Sequence, residues 1–269
     1  MRALDRAKPL AEISAETCRA RSVIATDIDD TMTTHGKIPA ATFDALWRAQ
    51  AAGLKVIPVT GRPAGWCDHI ARMWPVDGVV GENGGLWFRM TGGRMKRHWI
   101  LDERARAENR RKLAAIGEEI LREVKGAAIS ADQFSREFDL AIDFCEDVPP
   151  LPAKDVDRIV AIFEKHGCTA KVSSIHVNGW FGSYDKKSML ATMLASEFGI
   201  DAEKDRARIL FAGDSPNDEP MFAHFPVSVG VANVREFADR ITRPPAFIAA
   251  RAGGEGFAEI VDTVLARRT

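Results

Sequence analysis

The stretch SVIATDIDDTMTTHGKI, residues 22–38, joins a short apolar run to a group of carboxylates. Residues 23–25 are typical of a buried strand, and Asp27, Asp29 and Asp30 follow them closely. Like charges at this spacing repel one another unless a cation or a reacting group offsets them. The stretch therefore predicts a strand that ends at a cation-binding or catalytic site.

The bulk composition is that of an ordinary soluble globular protein. The chain has 269 residues, of which 46% are hydrophobic, and its formal net charge is −1. This length can bury the core of one large domain or two modest ones. So small a net charge gives no indication of a nucleic-acid or anionic-membrane partner. The composition leaves the oligomeric state open.

The N-terminal segment, residues 1–21, is interrupted by charged side chains throughout. It lacks the uninterrupted apolar core of a signal peptide and the length of a membrane span. We therefore expect a cytoplasmic protein without a membrane partner. The cysteines have no C-x-x-C spacing, which favours reduced, packed thiols over a metal or disulfide role; they are Cys18, Cys67, Cys145 and Cys168.

From Ser22 onward, short apolar strands alternate with helical patterns, which is typical of a parallel sheet covered by helices on both faces. Residues 88–181 interrupt this alternation with a hairpin around residues 91–93, a long charged helix near 102–125 and strands that alternate in polarity. We therefore expect an α/β fold, with a Rossmann-like parallel-sheet core and an inserted α+β domain.

The domain boundaries follow from these changes of pattern. We expect an N-terminal extension over 1–21, a core formed by 22–87 and 182–269, and an inserted domain over 88–181.

Four polar motifs fall where the predicted core strands end or where the core resumes after the insertion. They are DIDDT (27–31), VTGRP (59–63), DKKSM (185–189) and GDSPND (213–218). Ligand sites of parallel sheets lie beyond the carboxyl ends of the strands, so we expect these motifs to meet there. Carboxylate oxygens suit Mg²⁺, while hydroxyl, amide and ammonium groups suit the oxygens of a phosphate. The pattern predicts a site that binds both.

In this order the four motifs resemble those of the haloacid dehalogenase (HAD) superfamily of phosphohydrolases. The insertion between the second and third motifs, together with GENGG at 81–85, is similar to the Cof-type branch with a large α/β cap. Sucrose-phosphate and trehalose-phosphate phosphatases and phosphomannomutases belong to that branch. The resemblance extends from Ser22 to the end of the chain and leaves only the N-terminal extension outside it.

The resemblance implies a role for each catalytic residue. Asp27 would be the nucleophile that attacks phosphorus, and Asp29 would be the general acid and then the general base. Thr60 and the N–H of Gly61 would bind phosphoryl oxygens. Lys186 would offset the repulsion between Asp27 and the phosphate.

The resemblance also implies a Mg²⁺ cofactor. The ion would be held by the carboxylate of Asp27, the backbone carbonyl of Asp29 and the carboxylate of Asp214. Asn217 or Asp218 would coordinate the ion directly or would lie just outside its coordination shell.

Other motif residues carry a less specific signal. Arg62 and Asn83 are candidates for contact with the leaving group. Lys187 stands where this branch usually has a small residue, so Lys186 and Lys187 are both candidates for the motif lysine. Asp185 is a predicted N-cap, and its position directly before Lys186 favours Lys186.

The expected function is a Mg²⁺-dependent phosphatase that acts on a small phosphorylated metabolite, such as a sugar phosphate, through an aspartyl-phosphate. The size of the cap argues for a small substrate rather than a macromolecule. A phosphosugar mutase on the same scaffold and a non-catalytic phosphometabolite-binding protein are the alternatives. Polar residues of the insertion have surface or internally paired positions as their default interpretation; they are Arg136, Lys171, His176 and Asn178.

Overall fold

The structure is a computed structural model that describes residues 3–173 and 175–268. Its strands are β1 (Lys8–Pro9), β2 (Val23–Thr26), β3 (Lys55–Pro58), β4 (Val79–Gly81), β5 (Leu86–Thr91), β6 (Arg94–Trp99), β7 (Ala128–Ile129), β8 (Asp139–Asp143), β9 (Thr169–Val172), β10 (His176–Trp180), β11 (Ile209–Gly213), β12 (Val227–Gly230) and β13 (Phe247–Ile248). Its α-helices are α1 (Ala15–Arg19), α2 (Ala40–Ala51), α3 (Ala64–Met73), α4 (Glu103–Glu123), α5 (Ala153–Lys165), α6 (Lys186–Phe198), α7 (Glu219–His224) and α8 (Gly253–Arg268).

The central sheet has six strands in the order β1-β13-β12-β11-β2-β3. All its pairings are parallel, and β2 lies between β11 and β3, with Val23 opposite Ile209 on one side and Lys55 on the other. Every residue of β2, β11 and β12 is buried, because helices cover both faces of a parallel sheet. The predicted Rossmann-like parallel core is confirmed.

The strand order brings the first and fourth motifs together. Because β2 and β11 are adjacent and parallel, the residues that follow them leave the sheet at the same edge. β3 flanks β2 on its other side, so the VTGRP motif leaves at that edge as well.

A three-stranded antiparallel sheet in the order β4-β5-β6 continues this core. The parallel bridge between Val59 and Val80 connects it to the end of β3. The predicted hairpin turns at Gly92 and Gly93, whose φ angles of 54° and 73° suit residues without a Cβ. Phe88 and Trp99 meet edge to face with their ring centroids 4.9 Å apart, and both pack in the main core cluster.

A separate antiparallel sheet of four strands, in the order β7-β8-β10-β9, lies between the second and third motifs in sequence. Helices α4 and α5 pack on it and share a hydrophobic cluster of their own, which includes Ile120, Ile142, Phe163 and Val177. The long helix α4 begins after its N-cap Asp102, whose side chain accepts the N–H of Ala105 at 2.8 Å.

The N-terminal segment forms an edge of the central sheet, because β1 pairs with β13 in parallel register. Leu10 and Ile13 are buried in the main cluster beside residues of α8. Every helix within the described part of the chain is too short or too polar to cross a lipid bilayer.

Candidate active site

Three buried carboxylates meet at the carboxyl edge of the central sheet. Asp27 follows β2, Asp214 follows β11, and Asp218 closes the short 3₁₀ turn after it. They are 7%, 2% and 0% exposed, and one oxygen from each lies within 4.8 Å of the others. Gly213 permits this approach, since a Cβ there would lie 2.5 Å from Oδ2 of Asp218. The structure thus assembles a compact acidic site from the first and fourth motifs.

Lys186 is the cation of this cluster. Its Nζ lies 2.6 Å from Oδ1 of Asp27 and 3.5 Å from Oδ1 of Asp218. The side chain of Asp185 accepts the N–H of Ser188 at 2.7 Å, and this capping box begins α6 at Lys186. Burial acts to lower the pKa of Lys186, but the carboxylates of Asp27 and Asp218 raise it overall. Lys187 is half-buried and lines the neighbouring cavity instead.

One lysine does not balance three acids. Burial raises the pKa of Asp27, and the nearby carboxylates of Asp218 and Asp29 add to the shift while Lys186 opposes it. Burial and the carboxylates of Asp218 and Asp27 likewise raise the pKa of Asp214 well above its usual range. Asp27 and Asp214 therefore need a further positive charge nearby before both can ionise fully at neutral pH.

The oxygen atoms present fit a hard divalent cation such as Mg²⁺. Oδ1 of Asp218 accepts no hydrogen bond from any described residue, although its Oδ2 accepts the backbone N–H of Asp214 at 3.0 Å. Thr31 donates to Oδ1 of Asp214 at 3.1 Å, which orients that carboxylate. Asp27, Asp214 and Asp218 would hold the ion.

The structure gives the other two predicted ligands different surroundings. The carboxylate of Asp29 faces Arg62 and does not join the acidic cluster. Asn217 is half-buried and lines the cavity above the cluster, beside Ser215. A contribution from the backbone carbonyl of Asp29 stays a prediction.

The second motif forms the adjacent wall. Gly61 lines the cavity, and a Cβ there would lie 3.2 Å from Oδ1 of Asn83, so the absence of a side chain keeps this wall open. Thr60 is fully buried behind it and is not among the residues that line the cavity. Its hydroxyl accepts the N–H of Arg62 at 3.0 Å. Asn83 has a φ of 54° and lies beside Gly61 at the cavity.

Arg62 connects the core to the inserted sheet. Its guanidinium contacts both carboxylate oxygens of Asp29 and stacks on Trp66, with 4.4 Å from Cζ to the ring centroid. Glu146 and Asp132 of the insertion lie 3.4 and 3.8 Å from Nη1 of Arg62. Sequence reasoning missed both acids, because they lie in loops of the insertion and outside any motif.

Glu146 is itself held in place by the insertion. Asp143 at the end of β8 accepts the N–H groups of Cys145 and Glu146 at 2.9 and 2.7 Å. Nε2 of His176 lies 2.8 Å from Oε2 of Glu146. The contacts with His176 and Arg62 lower the pKa of Glu146, so its carboxylate is ionised at neutral pH.

A second junction joins the GENGG turn to β8. Glu82, fully buried with a φ of 44°, accepts the N–H groups of Ala64, Glu137 and Phe138 at 2.9, 2.9 and 2.6 Å. Burial and the nearby carboxylate of Asp139 raise the pKa of Glu82, while Arg136 and the N–H groups of Glu137 and Phe138 oppose the shift. The Glu82 side chain thus accepts hydrogen bonds from backbone N–H groups just before β8 that have no strand partner among the described residues.

Asp139 accepts three further side chains at this junction. Asn83 and Asn178 donate to its Oδ2 at 3.2 and 3.0 Å, and Arg136 donates to its Oδ1 at 3.0 Å. Arg136 also donates to the carbonyl of Gly61 at 2.9 Å. The polar residues of the insertion that sequence reasoning singled out are therefore internally paired where they are buried, whereas Lys171 is exposed.

Two contiguous cavities lie between the core and the inserted sheet. The first, of about 30 Å³, is lined by Asp27, Asp29 and Asp214 below and by His176 and Asn178 above. The second, of about 200 Å³, extends from it toward α6 and α7. Residues common to both walls join the two spaces; they are Asn83, Lys171, Lys186 and Asn217.

This chain is similar to known proteins in both sequence and fold. Residues 24–112 match the family model described as haloacid dehalogenase-like hydrolase. A protein from Thermoplasma acidophilum has a similar structure, with 20% identity, a TM-score of 0.70, and coverage of 91% of this chain and 98% of that one. A HAD/COF-like hydrolase from Plasmodium vivax gives 17% identity, a TM-score of 0.67, and coverage of 94% and 99%.

A third similar structure is that of the sucrose-phosphatase from Synechocystis in complex with sucrose and phosphate. It shares 14% identity at a TM-score of 0.62, and the match covers 91% of this chain and 98% of that one. No functionally curated protein sequence matches this chain at a significant level. The predicted resemblance to HAD-like hydrolases is confirmed by the match over residues 24–112 and by the fold of these structures.

Proposed function

Since the chain resembles HAD-like hydrolases in both sequence and fold, we propose that it is a Mg²⁺-dependent phosphatase that hydrolyses a small phosphorylated metabolite. One observation carries the proposal. Three buried carboxylates share a single lysine at the floor of a cavity, with Nζ of Lys186 2.6 Å from Oδ1 of Asp27. Such a site gains its missing positive charge from a divalent cation and offers one carboxylate as a nucleophile.

In the first step Asp27 attacks phosphorus in line with the leaving oxygen. The bond from phosphorus to that oxygen breaks as the aspartyl-phosphate forms, and Asp29 gives the leaving oxygen its proton. Lys186 reduces the repulsion between the anionic nucleophile and the anionic phosphate. Mg²⁺, when bound by Asp27, Asp214 and Asp218, would offset the remaining negative charge.

In the second step a water attacks the aspartyl-phosphate. Asp29 removes the proton of this water, and the phosphate leaves as Asp27 is regenerated. The N–H of Gly61 and the hydroxyl of Thr60 are our candidates for phosphoryl binding. Of these two, Gly61 has the stronger support, since it lines the cavity while the Thr60 hydroxyl already accepts the N–H of Arg62.

Proton donation by Asp29 involves Arg62. A guanidinium stabilises an ionised carboxylate, so when one oxygen of Asp29 carries a proton Arg62 keeps its bond to the other oxygen only. Glu146 and Asp132, at 3.4 and 3.8 Å from Nη1 of Arg62, are alternative acceptors on the inserted sheet. We therefore assign Arg62 the role of positioning Asp29.

We propose that residues 88–181 act as the cap over a core formed by 22–87 and 182–269, with 1–21 as an N-terminal extension. The cap sheet β7-β8-β10-β9 supplies one wall of the cavities and so restricts the size of the substrate. A sugar phosphate is the proposed class of substrate, and the similar sucrose-phosphatase supports this choice.

The test is phosphate release from a panel of phosphorylated metabolites, with and without Mg²⁺. We expect one phosphate per substrate consumed, only with Mg²⁺, and none from an Asp27→Asn variant freshly prepared and checked by mass for deamidation. A phosphosugar mutase would instead require a sugar bisphosphate and release little phosphate. Ligand binding without turnover on any substrate would favour the non-catalytic alternative.

A further inference from the structure

The larger of the two contiguous cavities could hold the leaving group of a substrate bound at Asp27. It occupies about 200 Å³ beside the small cavity over Asp27, and Lys186 and Asn217 lie in the walls of both. A substrate whose phosphorus contacts Asp27 therefore has room for its leaving group in this space. Drug-sized ligands occupy pockets of about 300–1000 Å³, so the leaving group that fits here is small.

Two lysines line this cavity from opposite sides. Lys171 belongs to β9 of the inserted sheet, whereas Lys187 belongs to α6 of the core. Within residues 3–173 and 175–268, neither ammonium group has a carboxylate within 4.0 Å. Lys186 differs from both, because its ammonium group already forms ion pairs with Asp27 and Asp218.

The walls of this cavity carry little negative charge to balance the two lysines. Its acidic wall residue is Asp185, whose carboxylate is engaged by the N–H of Ser188 at 2.7 Å as the N-cap of α6. The aromatic rings of Trp180 and Tyr184, stacked with centroids 6.0 Å apart, form an apolar wall. Lys187 is half-buried, so its charge is partly desolvated and attracts an anion more strongly than a fully solvated lysine does.

We propose that Lys171 and Lys187 select a substrate whose leaving group carries its own anionic group, either a carboxylate or a second phosphate. This inference rests on the proposed phosphatase function and narrows its substrate class. A neutral sugar would leave both ammonium groups without a counter-charge, while an anionic leaving group gives each of them a charge-assisted hydrogen bond. The carbon frame would lie against the Trp180 wall.

The experiment compares phosphate esters of similar size with and without a second anionic group. The pairs are glycerol 3-phosphate with 3-phosphoglycerate, and glucose 6-phosphate with either 6-phosphogluconate or glucose 1,6-bisphosphate. The wild-type protein should favour the anionic member by about tenfold or more in kcat/KM. The Lys171→Met and Lys187→Met variants should each lower this ratio about tenfold, chiefly through KM. Lys154→Met, an exposed lysine of α5 outside both cavities, should keep the wild-type ratio.

The carboxylate and bisphosphate members separate the two sources of the second charge. Equal kcat/KM within every pair would overturn the proposal, as would equal losses on both members in the lysine variants. Loss of the ratio in Lys154→Met would also overturn it, because a general charge effect would then explain the preference.

A binding arm keeps the inference testable if the phosphatase function fails. The Asp27→Asn protein should bind 3-phosphoglycerate more tightly than glycerol 3-phosphate in calorimetry, and Lys187→Met in the same background should reduce the difference. Anion-selective binding without hydrolysis would support the inference while rejecting the phosphatase. Hydrolysis without a preference for the anionic substrate would support the phosphatase function and reject the inference.

Discussion

The guanidinium of Arg62 holds both carboxylate oxygens of Asp29. Its Nη2 and Nε lie 2.7 and 3.0 Å from Oδ1, and Nε lies 3.1 Å from Oδ2. Glu146 of the insertion approaches the same guanidinium at 3.4 Å, so Arg62 links the proposed acid/base to the inserted sheet. We therefore expect the insertion to influence the chemistry through Arg62.

The first prediction concerns this pair. An Arg62→Lys variant keeps the charge but loses the planar fork, so Asp29 should be misplaced for proton transfer. We expect kcat to fall about 10²–10⁴-fold for an alkyl phosphate, the range for loss of general acid catalysis, and less for an aryl phosphate, which needs little protonation. Asp29→Asn should show the same dependence on the leaving group.

The matched control is Arg97→Lys, whose exposed side chain contacts Asp68 and lines neither cavity of the site. It should leave kcat for both substrates near the wild-type value. Equal losses on the alkyl and aryl phosphates in Arg62→Lys would count against a role for Arg62 in proton transfer and would favour a purely structural one.

The second prediction concerns Lys186. A Lys186→Met variant removes the cation that lies 2.6 Å from Asp27, so the nucleophile meets the anionic phosphate without compensation. We expect kcat/KM to fall at least about 10²-fold, the scale for loss of an electrostatic contact to the reacting group. Lys204→Met, on the exposed surface, is the control. Activity within threefold of wild type in Lys186→Met would contradict the assignment.

The third prediction concerns the cation. Chelation should abolish turnover and Mg²⁺ should restore it. Ca²⁺ should inhibit, because its larger and more flexible shell misplaces the nucleophile. Asp214→Asn should weaken the activation by Mg²⁺, measured as the concentration that gives half-maximal rate. Full turnover after exhaustive chelation would be incompatible with this site.

The fourth prediction concerns pH. Burial raises the pKa of Asp27 to about 7 in the folded protein, so without a cation this group favours the folded state at low pH and loses that contribution as pH rises through about 7. Mg²⁺ binds the ionised form. The rise in Tm on adding Mg²⁺ should therefore be small at pH 5 and larger at pH 8. A rise that is independent of pH would contradict the prediction.

The fifth prediction concerns Glu82. Glu82→Gln would place an amide donor against backbone N–H groups that now donate to the carboxylate, among them those of Glu137 and Phe138. We expect the free energy of unfolding in urea to fall by about 1–3 kcal/mol, the cost of an unsatisfied buried polar group. Glu118→Gln on the exposed face of α4 should change it by less than about 0.5 kcal/mol. Equal free energies of unfolding for the two variants would contradict a stabilising role for Glu82 at this junction.

The sequence by itself determined the parallel core and where its motifs leave the sheet. Apolar runs of strand length, separated by helical patterns, require a sheet covered on both faces, and parallel strands end at one edge. Asp27 and Asp214 follow such runs directly, so adjacency of β2 and β11 suffices to bring them together. Lys186 was also accessible, because the N-cap Asp185 directly before it is a local signal.

Only the tertiary structure decided which side chains pair within the site. Asp29 and Asp27 are two residues apart, yet Asp29 turns to Arg62 while Asp27 joins the acidic cluster. Glu146 was invisible to sequence reasoning, because its contact with Arg62 spans 84 positions and depends on how the inserted sheet packs. Periodicity and capping act over a few neighbouring residues. Ion pairs between the central core and the inserted sheet depend instead on the packing of distant elements, and so the partners of these charges could not be predicted from the sequence.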